Sequence, residues 1–119
     1  LSGQRIIELV TTRLKEITDK EMLNETRIHL YSTGTYWVAF ERSAFQLQKL
    51  YPSCGTMLFN MEKSLQHLLM AFVPHSALSN DKRLTTCRRC KDYMEAHTDG
   101  TFTLKEYGMW YRRIERKYS

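Results

Sequence analysis

Two runs of strand-forming residues around a four-residue turn constrain this chain more than any other feature. In Arg27-Ile28-His29-Leu30-Tyr31, Ile28 and Leu30 face one way and His29 and Tyr31 the other. Ser32-Thr33-Gly34-Thr35 can turn, and Tyr36-Trp37-Val38-Ala39-Phe40 is rich in β-branched and aromatic residues. This predicts a β-hairpin. Phe40 and Trp37 are its expected core rings. Tyr36, directly after Gly34-Thr35, sits where a ring can project from the sheet edge.

The flanking segments read mostly as helices. Ile6, Val10, Leu14 and Ile17, with Ile7 beside them, predict an amphipathic helix over residues 4–20, and Thr18 with Glu21 predicts a capped extra turn. Ser43 is expected to cap a helix through Ala44, Leu47, Leu50 and Tyr51, ended by Pro52 and Gly55. Residues 56–73 fit two patterns. Leu58, Met61, Leu65, Leu68 and Phe72 form a helical stripe, which periodicity slightly favours. Met57, Phe59 and Met61 also alternate, Lys63-Ser64 can turn, and Leu68 to Val73 is a short apolar run typical of a buried strand. After Pro74, Ser76 or Ser79 is expected to cap a basic helix reaching about Ala96. Asp99-Gly100 turns the chain. Thr103 and Glu106 form a capping-box pair ahead of the stripe Leu104, Tyr107, Tyr111, Ile114 and Tyr118.

At 119 residues and 42% apolar composition, the chain is expected to form one domain with its own core. No apolar run approaches the ~18 residues of a membrane span, and the start lacks the pattern of a secretory signal. Three cysteines, an odd number, predict free thiols and an intracellular, cytoplasmic protein. The net charge of +5 divides unevenly: residues 1–81 hold eight basic and eight acidic side chains, residues 82–119 ten and five. A neutral body with a basic C-terminal third suits phosphates, an anionic surface or an acidic protein, or simply a solvated face. The cations that end the last helix, Arg112, Arg113, Arg116 and Lys117, also complement its dipole.

Motifs for catalysis are missing. Cys87-Arg88-Arg89-Cys90 is a lone C-x-x-C; a zinc site would need completion by Cys54, His75 or His97 at irregular spacing. Its expected setting is a helix, with both thiols as small packing residues. The four histidines are scattered, no nucleophile elbow is present, and neither phosphate-binding glycine motif occurs. The chain is therefore expected to be neither an enzyme nor a cofactor protein.

The hairpin resembles the N-terminal mismatch-recognition domain of the MutS DNA-repair proteins, where a strand leads into G-[DS]-F-Y-E-x-F and then an acidic-Ala helix start. Here the stretch is Gly34-Thr35-Tyr36-Trp37-Val38-Ala39-Phe40-Glu41-Arg42-Ser43-Ala44. Met70-Ala71-Phe72-Val73-Pro74-His75-Ser76-Ala77-Leu78 is similar to the family's M-A-G-I-P-x-H-A-[LV]. The likeness runs from about residue 4 to residue 85. It implies an α+β fold with a mixed β-sheet flanked by helices, strands at 56–62 and 67–73, a core over 4–96 and an appended basic helix at 97–119. It also implies that Tyr36 stacks on a base. The family's base-bonding Glu falls on Val38, the motif's Gly on Phe72, and its His is displaced to His75.

The leading expectation is a small nucleic-acid-binding module. Lys82, Arg83, Arg88, Arg89, Arg112, Arg113 and Arg116 would contact phosphates while Tyr36 stacks at a distorted or unpaired base. The alternative is a protein-interaction module that docks a partner or a second copy through the C-terminal helix, with Tyr107, Trp110 and Tyr111 as anchors. A zinc-stabilised variant stands third.

Overall fold

The computed structural model describes residues 3–60 and 67–118. Helix α1 (Gly3–Met22) leads into the hairpin of β1 (Arg27–Ser32) and β2 (Tyr36–Phe40), followed by α2 (Glu41–Leu50). Strands β3 (Gly55–Asn60) and β4 (His67–Pro74), the single turn α3 (His75–Leu78), strands β5 (Thr85–Cys90) and β6 (Tyr93–His97), and helix α4 (Leu104–Lys117) complete the chain. The strands form one sheet in the order β3-β4-β2-β1-β6-β5, so the hairpin lies at its centre.

Covering both faces explains the residue pattern. Ile28, Leu30, Trp37, Ala39, Leu69, Ala71, Val73 and Met94 pack toward α2 and α4, against Phe45, Leu47, Trp110 and Ile114. Tyr31, Val38, Phe40, Leu68, Met70 and Tyr93 pack toward α1, against Ile6, Val10 and Ile17. A strand buried on both faces reads as a continuous apolar run rather than an alternation. That is why Leu68 to Val73 also mimicked a helix. Residues 56–73 are thus strands where described, as the MutS resemblance implied; the proposed Lys63-Ser64 turn lies outside the described residues.

Every pairing between described strands is antiparallel, so the sheet is not the mixed one expected. The basic helix expected over 76–96 is also replaced: after α3 the chain turns and forms β5 and β6. Residues 27–31 of β1 pair with 93–97 of β6. A helix there would have left one side of this buried strand without hydrogen-bond partners, a cost that outweighs local helical propensity. Thr85-Thr86 and the alternation of Tyr93 and Glu95 with Met94 and Ala96 fit the strands.

Ser43 does not cap α2. The helix begins two residues earlier, and Ser43 lies inside it, fully buried. Strands β1 and β2 pair at Tyr31↔Val38 and Ser32↔Trp37 and then part. Ser43 Oγ accepts from His29 N (2.9 Å), and Gln46 Nε2 donates to Arg27 O (2.8 Å), so α2 supplies partners that β2 no longer provides. The cap comes from α1 instead: Glu21 Oε1 accepts from Ser43 N (2.8 Å) and Oε2 from Ser43 Oγ (2.5 Å). Glu21 therefore does not pair with Thr18, whose hydroxyl donates to Leu14 O. Thr103, by contrast, caps α4 as its spacing predicted, accepting from Glu106 N at 3.1 Å.

Gly55 of β3 is set by close approach, since a Cβ there would overlap the Phe72 ring. Gly55→Ala is expected to destabilise by about 1–3 kcal/mol through overpacking. Gly100→Ala, whose Cβ would meet only Thr98 Oγ1 at 3.5 Å, should stay within about 0.5 kcal/mol of the parent when both variants are unfolded by denaturant. Among the described residues no helix is long and apolar enough to cross a membrane.

Candidate nucleic-acid interface

Three connections meet at one end of the sheet: the β1–β2 turn, the β5–β6 turn at Lys91-Asp92, and the step from β4 into α3. Ser32 N donates to Asp92 O (2.9 Å), His75 N to Thr35 O (2.9 Å), and Thr33 N to Tyr36 O (3.0 Å). Ser32 Oγ and His75 Nε2 lie 3.1 Å apart. Gly34 has φ +101°, the left-handed region that glycine adopts without steric cost, and a Cβ there would lie 2.5 Å from the Arg5 guanidinium. The N-terminal part of α1 thus reaches the same corner.

Tyr36 is half-buried at the start of β2, on the α1 side. Its ring stands edge-on to Phe72 at 5.8 Å, which restricts the side chain. Trp37 points to the other face and is 3% exposed. His75 stacks on it at 4.5 Å, and the Arg89 guanidinium lies 5.7 Å from its ring. Arg88 stands opposite Glu95, on the side of the sheet that faces α1. Arg88 and Arg89 therefore leave the exposed edge strand β5 on opposite faces. Strands β2 and β5 are three positions apart in the sheet, about 14 Å. The structure thus brings Tyr36, Arg88 and Arg89 to one end, together with Lys91, which sequence reasoning did not single out, and His75, which it considered only as a zinc ligand and as the displaced His of the family motif. Val38, at the position of the MutS family's Glu, is fully buried in the core.

The other expected phosphate contacts lie elsewhere. Arg83 binds Asp81 through Nη2 (2.7 Å) and Nε (3.0 Å), donates to Leu50 O (3.2 Å) and covers the Tyr51 ring. Its guanidinium, with the Tyr51 hydroxyl, holds the Asp81 carboxyl well below the usual range. Arg83 is occupied in bracing this turn, and Lys82 is exposed beside it. Arg112, Arg113 and Arg116 are exposed on α4. That helix ends over the far edge of the sheet, where Tyr118 bonds Thr56 of β3 and Glu115 Oε2 lies 3.7 Å from His67 Nε2 of β4. Strand β5 is five strand positions from β3, about 24 Å. The basic third is therefore divided between two edges rather than gathered in one patch.

The expected docking anchors point inward. Trp110 is 4% exposed and donates to Gln48 Oε1 at 2.6 Å; Tyr107 and Tyr111 pack against the same core, and Tyr111 OH bonds Glu41. Leu104 and Tyr118, expected in the buried stripe, are exposed. Trp110, outside the expected stripe, is buried beside Ile114.

The thiols are not helical packing residues either. Cys87 and Cys90 are exposed on β5, where three residues span about 10 Å, too far for one disulfide. Arg27 Nη1 donates to Cys87 Sγ at 3.0 Å. Cys54 is half-buried before β3, its thiol pushed up to about 11 by burial. His97 pairs with Arg27 at the opposite end of the sheet from His75. The ligands considered for zinc are thus dispersed, and among the described residues no group of three or more His, Cys, Asp or Glu could hold a metal.

Sequence reasoning also missed a buried polar cluster whose members lie far apart in the chain. His29 Nδ1 and Tyr93 OH are 2.6 Å apart, Glu95 is 3.7 Å from the same nitrogen, and Lys20 covers the Tyr93 ring at 3.8 Å. Burial pushes the Tyr93 hydroxyl up to about 12 and His29 down. Compared with models of protein families, with characterised proteins and with solved structures, the chain matches none.

Proposed function

We propose that this protein is a nucleic-acid-binding module whose contact surface is the three-turn end of the sheet. Tyr36 stacks on an unpaired or distorted base, and Arg88, Arg89 and Lys91 take the phosphates. The observation that carries this reading is the convergence of a half-buried, Phe72-braced ring and three cations of the β5–β6 hairpin at one end of the sheet. The resemblance of the hairpin to the MutS mismatch-recognition domain supports the same ring. With Val38 buried where that family places its Glu, the chain has no side chain to bond the base from that position. Recognition then rests on stacking and charge, which favours single-stranded or distorted sites over a particular mispair.

A salt-series titration on matched duplex, mismatched duplex and single strand tests this. Arg88→Ala with Arg89→Ala is expected to weaken binding on all three substrates and to flatten the duplex salt slope by about 1.8. Tyr36→Ala should cost about 1–3 kcal/mol on single-stranded and distorted sites and leave the salt slope unchanged. Replacing Arg112, Arg113 and Arg116 together should flatten the slope less than the β5 pair. The reverse order moves the interface to α4. Salt-independent binding on every substrate removes the reading altogether.

A further inference from the structure

A cleft of about 320 Å³ opens between α2 and the segment that joins β6 to α4, away from the three-turn end. Its volume lies in the range of small-molecule sites. Four kinds of surface meet in it. Leu50 and Phe102 are apolar. Lys49 is cationic and exposed, with Nζ bonded to Thr101 O at 3.1 Å and 5.5 Å from the Phe45 ring, while Arg83 at the rim is committed to Asp81 and Leu50 O. Asp99 is an exposed carboxylate. Gln46 is 5% exposed, and its Oε1 is buried without a hydrogen-bond partner.

The Gln46 oxygen is the most informative of these. Its Nε2 is committed to Arg27 O (2.8 Å), which orients the amide and leaves Oε1 as the acceptor. A buried acceptor without a partner costs about 1–3 kcal/mol, a cost removed by a ligand that brings a donor. A donor on a flat, largely apolar body suits Gln46, Leu50 and Phe102 together. Vicinal hydroxyls suit Asp99, and an anionic group suits Lys49. One common chemical class has these features in that combination.

We infer that this cleft binds a nucleoside monophosphate whose base carries an exocyclic amine. The amine donates to Gln46 Oε1, the base lies against Leu50 and Phe102, the ribose hydroxyls donate to Asp99, and the phosphate meets Lys49. This site is independent of the nucleic-acid surface: it shares none of Tyr36, Arg88, Arg89 or Lys91.

Calorimetry on the whole chain with AMP, IMP, 2′-deoxy-AMP, adenosine and inorganic phosphate tests the inference. IMP replaces the exocyclic amine by a carbonyl, so AMP should bind at least tenfold more tightly than IMP. Adenosine and 2′-deoxy-AMP should each bind more weakly than AMP. Lys49→Ala, an exposed substitution expected to leave the fold intact, should weaken AMP about tenfold and leave adenosine unchanged. Amide shifts on adding AMP to labelled protein should centre on residues 98–102 and on Gln46. Equal affinity for AMP and inorganic phosphate would mean that the cleft is only a cationic surface, and the inference fails. It fails equally if IMP matches AMP, if Lys49→Ala leaves AMP binding unchanged, or if millimolar AMP shifts none of these amides.

Discussion

Trp110→Ala is expected to destabilise the protein by about 3–5 kcal/mol, read as a loss of unfolding free energy in denaturant. The indole packs against Phe45 at 5.2 Å between ring centroids and against Tyr107 at 6.1 Å. Its N–H donates to Gln48, so truncation leaves both a cavity and an unpaired carbonyl. Total stability for a domain of this size is on the order of 5–15 kcal/mol, so this one change would consume much of it. Met109, the preceding residue, is 57% exposed, and Met109→Ala should shift stability by no more than about 0.5 kcal/mol. The contrast separates a helix that belongs to the core from one that docks elsewhere. Were α4 a detachable docking helix, Trp110→Ala would leave stability unchanged and abolish association instead. For the same reason, deleting residues 103–119 should unfold the chain rather than trim off an accessory helix.

The second large effect is a dependence on pH opposite to that of most paired carboxylates. Burial raises Glu21 from 4.5 to about 7, against the lowering effect of its bonds from Ser43 and Asn24. Folded protein then holds the proton more tightly than unfolded chain. The contribution of Glu21 is fully present below its unfolded value near 4.5 and is lost as pH rises through about 7. The shift corresponds to about 3 kcal/mol, an upper bound, at roughly 1.4 kcal/mol per pH unit. Glu41 acts in the same direction, raised to about 7 chiefly by burial. His29 opposes them: burial lowers it, so its contribution is present above pH 6.5 and fades as pH falls. A difference profile isolates Glu21. Wild type relative to Glu21→Gln should lose about 2–3 kcal/mol between pH 4.5 and 8, while Glu41 and His29 cancel between the two proteins. A flat difference profile would show that Glu21 is ionised in the fold across this range.

Glu41 also illustrates how far the local pattern was legible. The hairpin, α1, the cap of α4 and the rings of Trp37 and Phe40 were readable because each depends on neighbours a few residues away. Glu41, with φ +51°, has a backbone conformation that costs a non-glycine residue on the order of 1–3 kcal/mol. Its carboxylate is held by Leu69 N and Tyr111 OH, each at 3.3 Å, from partners 28 and 70 residues away. No spacing in the sequence announces such a position. The same is true of the Glu21–Ser43 cap, which joins residues that look locally like parts of two separate helix starts.

The candidate surface divides along the same line. Tyr36 was legible because the turn just before it places it at a strand end. The grouping of the cations was not, because charge counts along a chain ignore which edge of a sheet each residue reaches. Lys82 to Arg116 form one basic third in sequence, yet Arg83 is spent on Asp81, and α4 ends over β3, a strand about 24 Å across the sheet from the arginines of β5.

By itself, then, the sequence determined an α+β chain with a β-hairpin, an amphipathic first helix and a capped last one, since side-chain period and turn chemistry are local properties. Only the tertiary structure decided that residues 85–97 are strands and that α4 belongs to the core. It also decided which cations lie toward the same end of the sheet as Tyr36. The physical reason is β1: buried on both faces, it needs a hydrogen-bonded neighbour on each side. Satisfying that need sixty residues away overrides what the residues of β6 would prefer alone.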